Sequence, residues 1–172
     1  MKANDIERLI FSPFHTSKIL HYFLSGVMSV NDSGIKTELI YLVLPFIYND
    51  SSQKILKNLN KSSKFNPFLK KPEIEVFLSK LNGIILSYRQ KSNAAIIILA
   101  NEIELLITDY IKPKDEIHYN NEKDDYLKPI YKSAFNLGVL LGKEQYLTLS
   151  NKCHCCVAVH DIFGFVARYT DV

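Results

Sequence analysis

The feature that most constrains the fold of this chain is a continuous apolar segment at residues 39–48. Its residues at helical spacing are Leu39, Leu42, Val43 and Phe46. Because the positions between them are apolar as well, a helix here would have to be buried on most sides. The segment is too short to cross a bilayer, which takes about 20 residues. Since Pro45 disrupts the interior of a helix, we predict a central core helix that is kinked or ends near Pro45, with a strand as the alternative.

Composition and charge indicate one globular domain. The chain has 172 residues, of which 47% are hydrophobic and 23% charged, as is usual for a soluble protein. The net charge of +3 is too small to imply nucleic-acid binding by itself. Residues 1–8 are largely polar with no long apolar run behind them, so no signal peptide is predicted. We therefore expect a cytoplasmic protein without transmembrane segments and with a single domain at residues 1–152.

Apolar periodicity and capping residues predict four helices. They lie at about residues 13–27, 53–59, 72–90 and 125–142, with caps for the second at residues 49–52 and for the last at Asp124 or Asp125. Ser12 and Pro13 suit the first helix as N-cap and first helical residue. In the last helix Ala134 and Gly138 lie one turn apart, which would let a neighbouring backbone approach closely. Gly83 in the third helix indicates close packing there too.

Residues 94–107 admit two interpretations. Runs rich in β-branched residues flank Ala100, Asn101 and Glu102, a pattern that fits a hairpin with a tight turn. The alternative continues a helix through the segment. We favour the hairpin, and the order of helices followed by a hairpin is then that of a winged helix-turn-helix. The predicted fold class is α+β, mainly α, with a winged-helix-like core and a C-terminal helix.

Six lysines concentrate in the predicted short helix and in and just after the polar loop, residues 60–67, that follows it. They are Lys54, Lys57, Lys61, Lys64, Lys70 and Lys71. Lysines interspersed with small polar side chains suit contacts with phosphate groups, and a winged helix can bind DNA or dock a protein. The cluster is therefore a candidate for nucleic-acid or partner contact. A solvent-exposed face without a binding role is the simpler alternative.

After Lys152 the composition changes abruptly. The final segment contains five potential ligands for a soft metal ion, Cys153, His154, Cys155, Cys156 and His160. All of them lie within eight residues, whereas zinc sites usually pair two ligand hairpins across a longer spacer. We therefore predict no metal site and an atypical tail at residues 153–172, non-native or disordered. Its deletion is expected to leave the melting temperature almost unchanged.

Patterns typical of enzymes are missing from the sequence. No Ser or Cys lies in a nucleophile-elbow motif, and the glycines are spread singly rather than gathered in a phosphate-binding loop. His15 and His21 are six residues apart, so they do not share a helix face as a ligand pair would. We predict no catalytic residues and no cofactor, and we expect the protein to hydrolyse neither ATP nor nucleic acid.

Three short motifs carry a resemblance to a known family. They are Ser12-Pro13-Phe14-His15 at the start of the first helix, Leu42-Val43-Leu44-Pro45 in the apolar segment and Ala134-Phe135-Asn136-Leu137-Gly138 in the last helix. Together they resemble the middle component of bacterial three-component ABC-ATPase systems, to which Lamassu-like antiphage systems are related. The resemblance covers about residues 5–150. Ser12 stands where Asn is commoner in the family, and both are good N-caps.

The resemblance implies a non-enzymatic adaptor. Its implied partners are a coiled-coil ABC/SMC-like ATPase and a third effector subunit, which it would bridge in antiphage or anti-plasmid defence. DNA would be contacted by the assembled complex. The resemblance implies no catalytic residue, metal or cofactor. The alternative is a stand-alone winged-helix DNA-binding transcriptional regulator, in which the lysine cluster would contact DNA phosphates directly.

Overall fold

A computed structural model of the protein describes residues 12–144. Within these residues the chain forms seven α-helices, two 3₁₀ helices and three short strands. The α-helices are α1 (Pro13–Met28), α2 (Val43–Ile47), α3 (Asp50–Leu56), α4 (Phe65–Leu69), α5 (Pro72–Leu78), α6 (Leu81–Glu102) and α7 (Lys128–Gly142). The strands are β1 (Ile35–Lys36), β2 (Leu105–Ile107) and β3 (Tyr110–Pro113), and the 3₁₀ helices span Thr37–Leu42 and Tyr119–Asn121. The predicted fold class, α+β and mainly α with a C-terminal helix, is confirmed.

Helices α1 and α7 pack against each other more extensively than any other pair of described elements. Gly26 of α1 lies against the backbone of Phe135, and Gly138 of α7 lies against the backbone of Phe23. A Cβ atom at either glycine would overlap the facing carbonyl oxygen, so the two backbones touch at both glycines. The close approach predicted at Gly138 is therefore confirmed.

The apolar segment is buried throughout residues 39–47, as predicted for a central core element. It does not form one helix, because the 3₁₀ helix Thr37–Leu42 leads into α2. Pro45 is the third residue of α2 and so lies in its first turn, where backbone N–H groups have no partner within the helix. The prediction that a helix ends near Pro45 is confirmed, because α2 ends at Ile47, two residues later. The proline lies close to a helix start.

Helix α6 runs without interruption through residues 94–102, so the predicted hairpin with a turn at residues 100–102 is wrong. The buried residues of α6 are Leu81, Ile85, Ser92, Ala95 and Leu99. Their intervals of three, four and seven residues place them on one helix face, and α6 packs against α1. Tertiary packing thus overrides the strand preference of the β-branched residues. The hairpin comes later in the chain, as β2 and β3.

The region around α4 and α5 differs from the sequence prediction in three ways. A break at residues 79–80 divides the predicted helix at residues 72–90 into α5 and the first part of α6. A Cβ atom at Gly83 would meet nothing within 4 Å, so the close packing expected there is wrong. Helix α4 begins inside the predicted loop at residues 60–67, because the Phe65 side chain is buried and draws the chain onto the core.

The predicted N-cap positions of α1 and α3 are confirmed, and that of α7 is wrong. At the start of α3, Oδ1 of Asn49 accepts a hydrogen bond of 2.9 Å from the backbone N–H of Ser52, a donor that has no partner within the helix. Ser12 is the N-cap residue of α1 and Pro13 its first helical residue, although the Ser12 side chain makes no capping hydrogen bond. The N-cap residue of α7 is Leu127, and Oδ1 of Asp124 instead accepts a hydrogen bond of 2.8 Å from the backbone N–H of Tyr126 in the preceding turn.

The three strands form a small antiparallel sheet in the order β1-β3-β2. Ile35 of β1 pairs with Ile111 of β3, and Leu105 of β2 pairs with Pro113 of β3. Gly34 precedes β1 with a φ of +81°, and a Cβ atom there would crowd the Ile111 carbonyl oxygen. The sheet therefore joins the loop after α1 to the hairpin after α6.

Candidate partner-binding surfaces

The six lysines predicted as contact residues all have exposed side chains. Lys54 lies in α3, Lys57 directly follows it, Lys61 and Lys64 precede α4, and Lys70 and Lys71 separate α4 from α5. We call residues 54–71 the lysine segment. Within residues 12–144, no carboxylate forms an ion pair with any of the six ammonium groups. They can therefore bind an anionic group from outside the described chain.

Apolar and polar contacts hold the lysine segment to the core. Its buried side chains are Leu56, Phe65, Phe68 and Leu69. Nδ2 of the buried Asn136 on α7 donates hydrogen bonds to the carbonyl oxygens of Leu56 at 2.8 Å and Leu59 at 3.0 Å. Oδ1 of Asn60 accepts a hydrogen bond of 3.0 Å from the backbone N–H of Ser62. The lysines are thus presented on a fixed backbone, which reduces the entropy lost on binding.

Helix α7 and the residue after it add three lysines to this surface, none of them predicted as a contact residue. Nζ of Lys143 donates a hydrogen bond to the backbone carbonyl of Lys61. Lys128 and Lys132 line a pocket of about 410 Å³ together with Lys57. Lys128 and Lys132 are four residues apart and so share a face of α7. Only the tertiary structure brings this face to the lysine segment, and the local sequence carries no signal for it.

A second surface of different character lies at the start of α1. An open groove of about 940 Å³ is bounded by the first turn of α1, the α2–α3 junction and the first turn of α7. We call it the α1–α7 groove. Two aromatic side chains that line it are largely exposed, Phe14 at 65% and Tyr126 at 82%. Aromatic residues are enriched in protein–protein interfaces relative to the remaining surface.

The groove is closed at its base by a buried aromatic group. The Tyr131 ring stacks on that of Tyr22 with 4.5 Å between centroids, and the Tyr131 hydroxyl lies 3.2 Å from Nδ1 of His15. Burial, and to a smaller degree the charge of Lys18, lowers the pKa of His15. Burial, reinforced by Glu122, raises the pKa of Tyr131 to about 12. Both groups are therefore neutral at pH 7, and the base of the groove carries no charge.

Two carboxylates give the groove an acidic rim. Asp50 at the start of α3 and Asp125 before α7 both line it and are exposed. Neither makes an ion pair within the described part of the chain. The lining also includes Lys18, whose Nζ lies 3.6 Å from a carboxylate oxygen of Glu122. The lysine charge is thereby offset, and the groove lining has a net negative charge from Asp50 and Asp125. Asp125 also lines the pocket of the lysine segment and so marks the border between the two surfaces.

The predicted soft-metal ligands lie outside the described residues, as does the whole predicted tail at residues 153–172. Within residues 12–144, no group of three or more His, Cys, Asp and Glu side chains is placed to hold a metal ion. The helices of the same range include none with both the length and the apolar character to span a bilayer.

Comparison with known proteins gives a match over nearly the whole chain. Residues 1–150 match the family model described as ABC-three component (ABC-3C) system Middle Component 3. Neither the curated proteins nor the solved structures give a match. The matched range includes every described residue, and with them both the lysine segment and the α1–α7 groove. The resemblance found in the sequence over residues 5–150 is confirmed at the level of this family.

Proposed function

The chain belongs to the Middle Component 3 family of ABC-three component systems, and we propose that it acts there as a non-enzymatic adaptor between an ATPase subunit and a third, effector subunit. The observation that carries the proposal is the family match over residues 1–150. A middle component of a multi-component system has protein partners, and an adaptor needs a separate surface for each of two. The chain offers two surfaces of different character, which adjoin at Asp125 and Pro129.

The two surfaces differ enough to bind unlike partners. The lysine segment exposes six cations with no ion pair in the described residues. The α1–α7 groove combines exposed aromatic side chains with an acidic rim, formed by Asp50 and Asp125. Surfaces of opposite charge suppress binding of the wrong partner at each site, because like charges brought together repel. This difference supports a bridging role.

We extend the proposal to the identity of the partners and the setting. The partners would be a coiled-coil SMC-like ATPase and an effector subunit of a Lamassu-type antiphage or anti-plasmid system. Support comes from the motifs that resemble such middle components, above all Leu42-Val43-Leu44-Pro45. In the structure these four residues are buried in the core, so the motif reflects packing and not contact with a partner.

We also propose that the core is a winged-helix variant. The order of elements supports this, since β1 follows α1, the hairpin of β2 and β3 follows the long helix α6, and β1 pairs with β3. The hairpin then corresponds to the wing. Winged helices bind DNA or proteins, so the fold is compatible with an adaptor without requiring one.

Reconstitution tests the bridging role directly. The chain, the ATPase encoded with it and the third subunit are purified separately and mixed, and complexes are measured by size-exclusion chromatography with light scattering. We expect the third subunit to co-elute with the ATPase only when this chain is present, and the chain alone to hydrolyse no ATP. The proposal fails if ATPase and third subunit associate equally well without it, or if the purified chain is itself an ATPase or nuclease.

A stand-alone DNA-binding regulator is the second candidate, favoured by the unpaired lysines. In that case the isolated chain binds duplex tightly, and replacing a lysine that neutralises one phosphate lowers the salt-dependence slope by about 0.9. Under the adaptor proposal, the isolated chain binds duplex no more tightly than about 10⁻⁶ M at physiological salt. Gel-shift titration separates the two, and tight, sequence-selective binding by the isolated chain would favour the regulator.

Changing lysines of the segment to Glu tests whether they contact a partner in the complex. We expect changing Lys61 and Lys64 to Glu, alone or together with Lys70 and Lys71, to impair assembly or DNA engagement of the whole complex. The matched control changes Lys80 and Lys123, two exposed lysines outside the segment. Equal behaviour of the test and control variants would show that the lysine segment contacts no partner.

A further inference from the structure

The α1–α7 groove is a candidate binding site that the family match does not assign. We propose that it binds an amphipathic segment of a protein partner, which places apolar side chains in the groove and a lysine or arginine at its rim. This inference rests on the proposed adaptor function, since it assigns one of the two partners to a defined surface. The apolar base and flanks of the groove support it, and so does the charge of the rim.

The base and flanks of the groove select an apolar occupant. The groove volume of about 940 Å³ can accept several large side chains, since ligand pockets in proteins span about 300–1,000 Å³. The base is formed by Tyr131, neutral at pH 7, and the flanks by the exposed rings of Phe14 and Tyr126. A charged group buried against this surface would lose its hydration without gaining a counter-charge. The part of the partner that enters the groove is therefore apolar.

The rim of the groove selects a basic residue beside the apolar ones. Asp50 and Asp125 have no ion pair among residues 12–144, and the charge of Lys18 is offset by Glu122. A basic side chain next to the apolar anchors would pair with these carboxylates. Nucleic acid would instead bring its phosphates against them, and like charges repel. The occupant is thus a protein segment with a basic residue, while an anionic partner is left to the lysine segment.

Photo-crosslinking identifies the occupant in the assembled system. The photoreactive amino acid benzoylphenylalanine replaces Tyr126 in the full chain, which is co-expressed with the ATPase and third subunit and irradiated. The matched control carries it at Ile97, which is 62% exposed on α6 and does not line the groove. We expect mass spectrometry to map the Tyr126 crosslinks, and not those of Ile97, to one partner segment with apolar residues and a Lys or Arg within one helical turn.

Other crosslink products would overturn the inference. Crosslinks from position 126 into residues 1–11 of the same chain would mean that the protein fills its own groove. Crosslinks into a second copy would mean that the groove is a self-association surface, and crosslinks into DNA would contradict the electrostatic argument. Equal yields from positions 126 and 97 would mean that no specific occupant exists.

Substitutions measure the apolar and the electrostatic contributions separately. We expect the Phe14→Ser and Tyr126→Ser pair to weaken binding of the crosslinked partner about tenfold or more. We expect Asp50→Asn with Asp125→Asn to weaken it several-fold and to flatten the dependence of Kd on salt. The controls are Ile97→Ser and the pair Asp32→Asn with Asp115→Asn, exposed positions that do not line the groove. Circular dichroism verifies that each variant folds.

The outcomes distinguish this inference from the adaptor proposal. If the wild-type chain forms no complex with the ATPase and third subunit, the adaptor function itself fails. If the complex forms and is insensitive to all four groove substitutions, the adaptor function stands and the groove assignment fails. Weaker binding by the groove variants, with the controls within about twofold of wild type, supports both.

Discussion

The helix pair α1 and α7 differs from the lysine segment in the fraction of its residues that the fold buries. Residues 19–27 of α1 and 133–142 of α7 are all buried, and the two backbones touch at Gly26 and Gly138. The lysine segment exposes all six of its lysines, and its large buried side chains are apolar. Substitutions in the first region are therefore expected to act on stability, and we propose that lysine substitutions in the second act on binding. The following experiments break or sharpen this comparison.

The largest effect is expected at the contact between the two helices. Gly138→Ala adds a Cβ atom that overlaps the Phe23 carbonyl oxygen, which cannot move without displacing α1. We expect the free energy of unfolding, measured by urea denaturation, to fall by about 3 kcal/mol or more.

Gly83→Ala is the matched control for this substitution. Its Cβ atom would meet nothing within 4 Å in helix α6, so the variant should gain about 0.5–1 kcal/mol from the helix propensity of Ala. A Gly138→Ala protein as stable as the wild type would show that α1 and α7 are not in backbone contact.

The next largest effect is expected where α7 holds the lysine segment. Asn136→Ala removes the buried side chain that donates to the Leu56 and Leu59 carbonyls, so the half-buried Leu59 carbonyl loses this donor, while the Leu56 carbonyl keeps the backbone N–H of Leu59. We expect the free energy of unfolding to fall by about 1–2 kcal/mol and amide hydrogen exchange in residues 54–71 to become faster. The control Asn101→Ala changes an exposed residue near the end of α6. Unchanged exchange in the segment would contradict the role of Asn136.

A smaller effect concerns the base of the groove. Burial lowers the pKa of His15 in the folded state below its usual 6.5, so the unfolded chain binds the proton more readily. The resulting stability is fully present above pH 6.5 and is lost as the pH falls through the folded-state pKa. His15→Gln should reduce the loss of stability on acidification by less than about 1 kcal/mol, because the ring is only partly buried and solvent screens its charge. An NMR titration of His15 with a midpoint at or above 6.5 would refute this.

The smallest effect is expected in the lysine segment itself. Changing Lys61, Lys64, Lys70 and Lys71 to Gln removes four exposed charges that make no ion pair within the described residues. We expect the unfolding free energy to change by less than about 0.5 kcal/mol, as measured by urea denaturation. A decrease of several kcal/mol would show that these lysines support the fold. The lysine segment would then resemble the α1 and α7 pair in its contribution to stability.

The local sequence predicts the structure where the conformation of a segment depends mainly on its own residues. The limits of α1 follow from Pro13 and from apolar periodicity, and the small pair Ala134 and Gly138 indicated a close helix contact. The hairpin predicted at residues 94–107 is wrong because the β-branched side chains favour a strand, while packing of the buried Ala95 and Leu99 keeps residues 94–102 helical. No feature of that stretch reveals that α1 lies beside it.

The candidate surfaces could be predicted only in part for the same reason. The six lysines of residues 54–71 are close in sequence and were found from it. Lys128, Lys132 and Lys143 lie on or just after α7, about 70 residues later in the chain, and the fold brings them beside these six. Phe14 and Tyr126, which flank the groove, are further apart still. A site assembled from distant segments leaves no local pattern, so only the tertiary structure shows it.

The contact between α1 and α7 also means that α1 cannot pack fully until α7 has been synthesised. A ribosome adds about 5–20 residues each second, and roughly 100 residues separate the two helices, so α1 waits about 5–20 s for its partner. Over that interval residues 19–27, most of them apolar, have no α7 to cover them, although they are buried in the finished domain. The nascent chain therefore exposes α1 before the other described helices and for the longest time. Chaperone supply during translation, more than the stability of the folded domain, should limit the yield of this subunit.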